Sequence, residues 1–233
     1  MIWRQIEKRW YHMIKTNQDY IMTIALPSGR LFQSIMELLK NSGFFGSINY
    51  DVKRDRRLVF NDEEGNFRFV ITKPKDNPTY VECGVADIGV VGKDILLEEK
   101  KDVYELLDLG LGTCRIVLAG SRSREEVLKD IEQRLPLKIA TKYPNISRKY
   151  CLSNGIHGEI ITLFGSIELA PQVGLADTII DLVSTGKTLR QNNLIVVDEI
   201  ATISARLITN RISYKTKHKQ IQEAIQALRT IIT

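Results

Sequence analysis

The amino-acid sequence predicts an α/β protein with mainly parallel sheets, divided into two lobes with a ligand cleft between them. Three observations carry this expectation. Strand-like and helix-like segments alternate along the chain, as βαβ units require. The 233 residues are enough for one large domain or two small ones. Turn-forming and polar stretches at Gly110-Leu111-Gly112 and Gly120–Arg124 follow the first α/β block. The expected division is an N-terminal extension at 1–20, lobe I at 21–112 completed by 200–233, and lobe II at 113–199. Clefts between lobes and the carboxyl ends of parallel strands are where α/β folds bind ligands.

The elements follow in order. Tyr20–Leu26 is a short β-rich run ending at Pro27-Ser28-Gly29-Arg30. Leu31, Ile35, Leu38 and Leu39 form a helical stripe over Leu31–Asn41, closed by Asn41 and Gly43. Phe67–Thr72 reads as a strand, Thr79–Cys83 as a helix ending at Gly84, Ala86–Val91 as a strand and Lys93–Glu99 as a helix. Cys114–Ala119 is a strand, Ser123–Gln133 a polar helix, Lys138–Thr141 a strand and Ile146–Ser153 a helix stopped by Asn154-Gly155. Glu159–Leu163, Thr178–Leu182 and Asn193–Asp198 are further strands. The last element is an amphipathic helix over Lys219–Thr230, whose stripe of Ile221, Ile225 and Leu228 runs on to Ile232.

Composition narrows the function. An apolar fraction of 43% and a charged fraction of 26% belong to an ordinary globular protein, and no apolar run approaches the ~20 residues of a membrane span. The N-terminus mixes bulky aromatics with charges and has no secretory h-region. Cys83, Cys114 and Cys151 are scattered, which reads as reduced thiols in a cytoplasmic protein, without a disulfide framework or protein-built metal site. The net charge of +5 is spread along the chain. Its densest run, Lys53-Arg54-Asp55-Arg56-Arg57, is broken by an Asp and matches no nucleic-acid module. These charges suit either a solvated surface or a cleft that attracts a small polyanion.

One segment carries recognisable chemistry. Asp177–Thr188 (DTIIDLVSTGKT) combines a strand bearing Asp181, a tight turn at Ser184-Thr185-Gly186, and a helix start at Lys187. Gly permits close backbone approach, the helix start offers free N–H groups to an anion, and the hydroxyls of Ser184, Thr185 and Thr188 add donors. Gly186-Lys187-Thr188 matches the end of a Walker A loop. That motif also needs a Gly five positions before Gly186, and residue 181 is Asp. A P-loop is therefore disfavoured. The remaining readings are a Ser/Thr/Gly helix cap without ligand, or a cradle for one sugar phosphate of the kind found in phosphoribosyltransferases.

A series of segments resembles the ATP phosphoribosyltransferase family. Ile24–Leu31 (IALPSGRL) resembles its ALPKGRL opening, and Asp55–Phe60 (DRRLVF) its SRKLVF segment. Asp76–Glu82 (DNPTYVE) and Gly84–Asp94 (GVADIGVVGKD) resemble its DVPTYVE and ADLGIVGKD stretches. Ile139–Asn145 (IATKYPN) and Gly165–Asp177 (GSIELAPQVGLAD) lead into the phosphate loop. Each piece is weak alone. Their order over roughly residues 21–230 is specific.

The resemblance implies a two-lobed fold similar to type II periplasmic binding proteins. It also implies transfer of phosphoribosyl from phosphoribosyl pyrophosphate (PRPP) to N1 of ATP, with Mg2+ carried on the substrate, the first step of histidine biosynthesis. By the same carry-over, Asp177, Asp181, Ser184, Thr185, Gly186, Lys187 and Thr188 would bind PRPP. Glu168 would contact the ribose or the Mg2+–diphosphate, and Arg30 and Arg56 would neutralise phosphate or leaving-group charge as catalytic residues. Short forms of the family lack a C-terminal regulatory domain and act in a hetero-oligomer with a subunit resembling histidyl-tRNA synthetase. Two departures stand out. Position 28 is Ser where the family usually has Lys, and residues 1–20 precede the family's usual start. Either Met22 is the start, or Trp3, Trp10 and Tyr11 lie on a helix that docks on a partner. A ligand-binding or sensor module of the same architecture, without turnover, is the alternative.

Overall fold

A computed structural model of the chain describes residues 21–51, 54–121, 123–133 and 136–232. The expected extension at 1–20, with its docking aromatics, lies outside them. In chain order the elements open with β1 (Met22–Pro27), α1 (Phe32–Ser42), β2 (Val59–Asn61), β3 (Phe67–Thr72), α2 (Asn77–Glu82), β4 (Ile88–Gly92), α3 (Lys93–Glu99) and β5 (Tyr104–Asp108). There follow β6 (Cys114–Gly120), α4 (Arg124–Glu132), β7 (Leu137–Thr141), α5 (Pro144–Ser153), β8 (Gly158–Thr162) and α6 (Leu169–Gln172). The chain continues with β9 (Thr178–Val183), α7 (Lys187–Gln191), β10 (Ile195–Ile203), β11 (Ala205–Thr209), α8 (Arg211–Thr216) and α9 (His218–Ile232).

These form two compact units. Within the described residues the first comprises 21–92, Lys101–Leu111 and 205–232, and the second Lys93–Lys100 and Gly112–Ser204. The expected boundaries at 112 and 200 therefore change in two places. The return falls at residue 205, and α3 leaves the first unit although it follows β4 without a break. Its side chains explain the move. Leu97 packs on the second core. Glu98, itself buried, accepts from the N–H groups of Asn145 (3.0 Å) and Ile146 (3.0 Å) at the start of α5. A carboxylate at a helix N-terminus satisfies donors that have no intrahelical partner.

The first unit is built on a sheet of order β2-β3-β1-β4-β11-β5, covered by α1 and α9. Met22, Ile24 and Leu26 of β1 are buried against Ile35, Met36 and Leu39 of α1 and Ile221, Ile225 and Leu228 of α9. The helical stripes read from the sequence thus become the core-facing sides. The helix α2 lies close on β4. A methyl carbon at Gly89 would stand 2.6 Å from Val81 Cγ2 and 2.7 Å from Asn77 Oδ1, so only Gly permits this approach.

The second sheet has the order β10-β6-β9-β7-β8. Two cores form in this unit, one around Ile116, Leu118, Ile139, Ile146 and Ile180, the other around Val117, Ile167, Ala170, Ile179, Val183 and Leu189. Both sheets are mixed, which corrects the expectation of mainly parallel ones. Pairings β1–β3, β1–β4, β7–β8 and β7–β9 are parallel. Pairings β2–β3, β4–β11, β5–β11, β6–β9 and β6–β10 are antiparallel. The strands β2 and β3 are joined by a turn too short for the crossover that parallel pairing demands. The strands β6, β10 and β11 lie at the points where the chain passes from one unit to the other, outside any local βαβ repeat.

Candidate active site

The parallel trio β9-β7-β8 ends on one side of the second sheet, and three connections gather there. The strand β7 leads into Lys142 and Tyr143, β8 into the segment that carries Glu168, and β9 into Ser184–Thr188. Carboxyl ends of adjacent parallel strands are the usual ligand side of an α/β sheet. Hydrogen bonds fix the edges of this face. Leu163 N–H donates to Thr141 O (2.9 Å), and the Thr141 hydroxyl donates to Ile180 O (2.7 Å).

The loop after β9 has the geometry expected of an anion cradle. Gly186 sits at φ +71°, a left-handed conformation that costs other residues roughly 1–2 kcal/mol. The turn is braced by Arg190, whose guanidinium donates to Thr185 O (3.2 Å). Lys187 N–H reaches Thr185 Oγ1 at 3.4 Å, and α7 begins at Lys187, as the sequence predicts. Among the described residues, none accepts from the backbone N–H groups of Ser184, Thr185, Gly186 or Thr188. The side chains of Ser184, Thr185, Lys187 and Thr188 are exposed.

Asp181 stands at the base of this loop, 9% exposed. Its Oδ1 accepts from Leu182 N–H (2.8 Å) and pairs with the Lys142 ammonium (3.2 Å). Tyr143 donates its hydroxyl to Asp94 Oδ2 (3.0 Å). Burial of the phenol, and then the nearby Asp94 carboxylate, push its pKa well above the ordinary tyrosine value, so it remains a neutral donor. Glu168 precedes α6, which is tied to the end of α7 by Gln172 donating to Asn192 Oδ1 (2.8 Å). Ile167 and Ala170 share a core with Val183 and Leu189, so Glu168 is held on the loop's side of the unit. Its carboxylate has no partner among the described residues.

Asp177 is not brought to this face. It precedes the first residue of β9, whereas the loop follows the last. Six strand residues at ~3.3 Å each separate them by about 20 Å. Its carboxylate accepts from Lys138 N–H (2.8 Å) while its own N–H donates to Lys138 O (2.9 Å). Asp177 thus pins β9 to β7 at their amino ends, which corrects its expected place in the loop.

In the first unit, Arg30 and Arg56 flank the carboxyl end of β3. Ser28 N–H donates to Thr72 O (2.7 Å), and Ile71 N–H to Leu58 O (2.8 Å). The turn after β1 and the segment before β2 therefore share one end of the sheet. Both arginines are exposed and unpaired among the described residues. Their neighbour Arg57 is engaged: its guanidinium grips Asp55 and lies 5.9 Å from the Tyr50 ring centroid. This contrast singles out Arg56 as the free cation of the pair. Lys142 and Arg190 were not anticipated as site residues. A lysine directly after a strand that pairs with the loop strand was the available signal, but the pairing itself is not visible in sequence.

The ATP phosphoribosyltransferase family model matches residues 73–230. The chain belongs to the ATP phosphoribosyltransferase family. A relative called ATP phosphoribosyltransferase from Syntrophotalea carbinolica is 50% identical over 217 residues, covering 92% of this chain and 96% of its own. One of the same name from Halothermothrix orenii is 47% identical over 210 residues, covering 89% and 93%. Among solved structures, the ATP phosphoribosyl transferase (HisG:HisZ) complex from Thermotoga maritima includes a chain with 36% identity and a TM-score of 0.75. That match covers 91% of this chain and 98% of the other. The VFT2 domain of BvgS from Bordetella pertussis matches with a TM-score of 0.55 at 11% identity, over 95% and 96% of the two chains. The last likeness concerns the fold alone, and with the Thermotoga chain it agrees with the two-lobed type II architecture.

Proposed function

We propose that this chain is the catalytic subunit of a short-form ATP phosphoribosyltransferase, joining N1 of ATP to C1′ of PRPP with release of pyrophosphate, the first step of histidine biosynthesis. The observation that carries this reading is the loop Ser184–Thr188. It presents unpaired N–H groups and hydroxyls beside Asp181, at the shared carboxyl ends of β7, β8 and β9.

In this reading the loop takes the 5′-phosphate, through Ser184, Thr185, Gly186, Lys187 and Thr188. Asp181 accepts from the ribose hydroxyls. N1 of adenine has an exposed lone pair, so the reaction needs alignment more than a strong base. Charge developing on the departing pyrophosphate requires fixed cations, the role given to Arg30 and Arg56. Among the described residues no group of three or more His, Cys, Asp and Glu is placed to hold a metal ion. One unpaired carboxylate, Glu168, fits a Mg2+ ion carried by the diphosphate, and the ion would supply further charge neutralisation there. The relatives are covered over 93% and 96% of their lengths, which supports the short form. The HisG:HisZ complex from Thermotoga maritima supports a partner subunit, and in this reading that partner is the regulatory subunit resembling histidyl-tRNA synthetase that the family resemblance implies. Among the described residues no helix is long and apolar enough to cross a membrane; the scattered free thiols of Cys83, Cys114 and Cys151 favour the reducing cytoplasm.

The test mixes the chain with its regulatory partner, ATP, PRPP and Mg2+, and measures phosphoribosyl-ATP and pyrophosphate together. Equal yields of both, with no ADP, are expected. Release of ADP would indicate a kinase, and ligand binding without either product would indicate a sensor module.

A further inference from the structure

The reading of the loop as a PRPP anchor raises an electrostatic problem. PRPP is a polyanion, and Asp181 places a further negative charge, largely shielded from solvent, at the base of its cradle. Like charges in a poorly solvated site repel strongly, because the screening that water provides is reduced. A carboxylate there helps ribose binding only if its charge is balanced without blocking its free lone pairs.

Lys142 meets both requirements. Thr141 lies opposite Ile180 in the parallel pairing of β7 and β9, so the next residues along the two strands, Lys142 and Asp181, face each other. The ammonium is 3.2 Å from Asp181 Oδ1. Asp181 Oδ1 also takes the Leu182 N–H, while no bond within the described residues uses its Oδ2. Both donors therefore fall on one oxygen and leave the other available. The lysine is held from either side. Thr141 is bonded to Ile180 O and accepts from Tyr143 N–H (2.9 Å), and the Tyr143 hydroxyl is bonded to Asp94. The Tyr143 ring supports the ammonium at 5.2 Å from its centroid, a cation–π distance. The Lys142 side chain keeps 38% of its surface exposed, so its remaining protons face solvent.

We infer that Lys142 is a positioning residue for PRPP: it neutralises Asp181 and orients that carboxylate so that its second oxygen meets the ribose while the loop holds the phosphate. This rests on the assignment of the loop made above. Without Lys142 the carboxylate would repel the incoming substrate and turn away from the ribose.

The experiment uses the chain with its regulatory partner at saturating ATP and varied PRPP, comparing Lys142→Met, Lys142→Arg, Asp181→Asn, Lys142→Met/Asp181→Asn and Thr188→Ala. Lys142→Met is expected to raise the KM for PRPP about tenfold or more, leave the KM for ATP within about twofold, and lower the thermal midpoint as the largely buried carboxylate loses its counter-charge. Lys142→Arg restores the KM for PRPP to within about threefold of the parent, because the charge is retained. In the Asp181→Asn background, Lys142→Met costs less than about threefold, since the charge it balances is gone. An unchanged KM for PRPP in Lys142→Met, alongside a raised one in Asp181→Asn and Thr188→Ala, overturns the role of Lys142 and leaves the loop assignment standing. So does an equal penalty for Lys142→Met in both backgrounds. If Asp181→Asn and Thr188→Ala both leave the KM for PRPP unchanged, the loop assignment falls and this inference with it.

Discussion

Replacing Asp87 by Asn should destabilise the first unit severely while sparing catalysis. Asp87 sits just before β4, 9% exposed. Its Oδ2 accepts from Thr23 N–H (2.8 Å) and pairs with the Lys217 ammonium (2.8 Å), and its Oδ1 accepts from the Ser213 hydroxyl (2.7 Å). One carboxylate therefore joins β1, α8 and the residue between α8 and α9. A carboxamide keeps one oxygen for Thr23 and Lys217 but turns its NH2 toward Ser213 Oγ. That oxygen already accepts from Asn210 Nδ2 (3.0 Å), and its proton loses its acceptor. The charge-assisted bond from Thr23 N–H weakens by about 1 kcal/mol and a buried donor is left unpaired at about 1–3 kcal/mol. Lys217 still reaches water, its side chain being 27% exposed, which limits the rest. The expected loss is about 2–4 kcal/mol, a large share of the ~5–15 kcal/mol that holds a typical domain. At roughly 2–4 °C per kcal/mol for a chain of this size, the thermal midpoint falls by about 5–15 °C.

The assay is urea unfolding followed by circular dichroism, with Lys217→Met and the double variant measured in parallel. Coupling of about 1 kcal/mol or more is expected, because the two side chains share one interaction. Below the melting range, kcat and both KM values should match the parent, since Asp87 is at the amino end of its strand and Arg30 and Arg56 lie at the carboxyl ends of β1 and β3. A loss below about 0.5 kcal/mol, or strict additivity with Lys217→Met, refutes the reasoning.

Three further outcomes follow from the same geometry. Arg56→Ala should lower kcat about 10²-fold or more with little change in the urea midpoint, as an exposed, unpaired cation contributes to charge stabilisation and not to folding; a fully active Arg56→Ala enzyme removes its assigned role. Gly186→Ala should raise the KM for PRPP selectively, because a left-handed turn at φ +71° costs Ala roughly 1–2 kcal/mol and the new methyl would stand 3.3 Å from the Arg190 guanidinium that braces the loop; an unchanged KM for PRPP with a lowered stability would make the turn structural only. Glu98→Gln should cost the second unit about 1–3 kcal/mol in urea unfolding, since the carboxylate that takes the Asn145 and Ile146 N–H groups is buried at the start of α5; a neutral result would show that α3 is held by Leu97 packing alone.

Most of the secondary structure was legible because its signals are local. The stripes of α1 and α9, the apolar run of β4 and the Gly-Lys junction before α7 all survive in the fold. Three strands, β2, β5 and β11, went unread and β10 was read short, each for an identifiable reason. The strand β2 is only three residues long. The strand β5 lies on a sheet edge with exposed and half-buried faces, so it lacks a buried run. The strand β10 was expected to stop at Asp198. It continues to Ile203 through two register shifts, with Glu199 paired to Arg115 (3.0 Å) and Asp198 accepting from the Tyr150 hydroxyl (2.7 Å). The strand β11 follows after Ser204 alone, so no break in the pattern marks the passage between units.

The site was legible as a motif but not as a place. Asp177 and Asp181 are four residues apart in one acidic, hydroxyl-rich segment, and sequence gave no reason to treat them differently. The extended strand between them decides their roles. Asp177 faces the amino end of β7 and takes the Lys138 N–H, while Asp181 faces its carboxyl end and takes the Lys142 ammonium. Asp87 repeats the first case in the other sheet, where a carboxylate at the amino end of a strand spends all its acceptors on the scaffold. An acid at the amino end of a parallel strand is thus available to tie elements together, and one at the carboxyl end is available to a ligand. Which end a residue occupies depends on register and strand direction, and these are set by pairing between distant segments. Lys142 was missed for that reason: nothing within its own stretch of chain reveals that Asp181, 39 positions further on in the same register as Thr141 and Ile180, stands beside it.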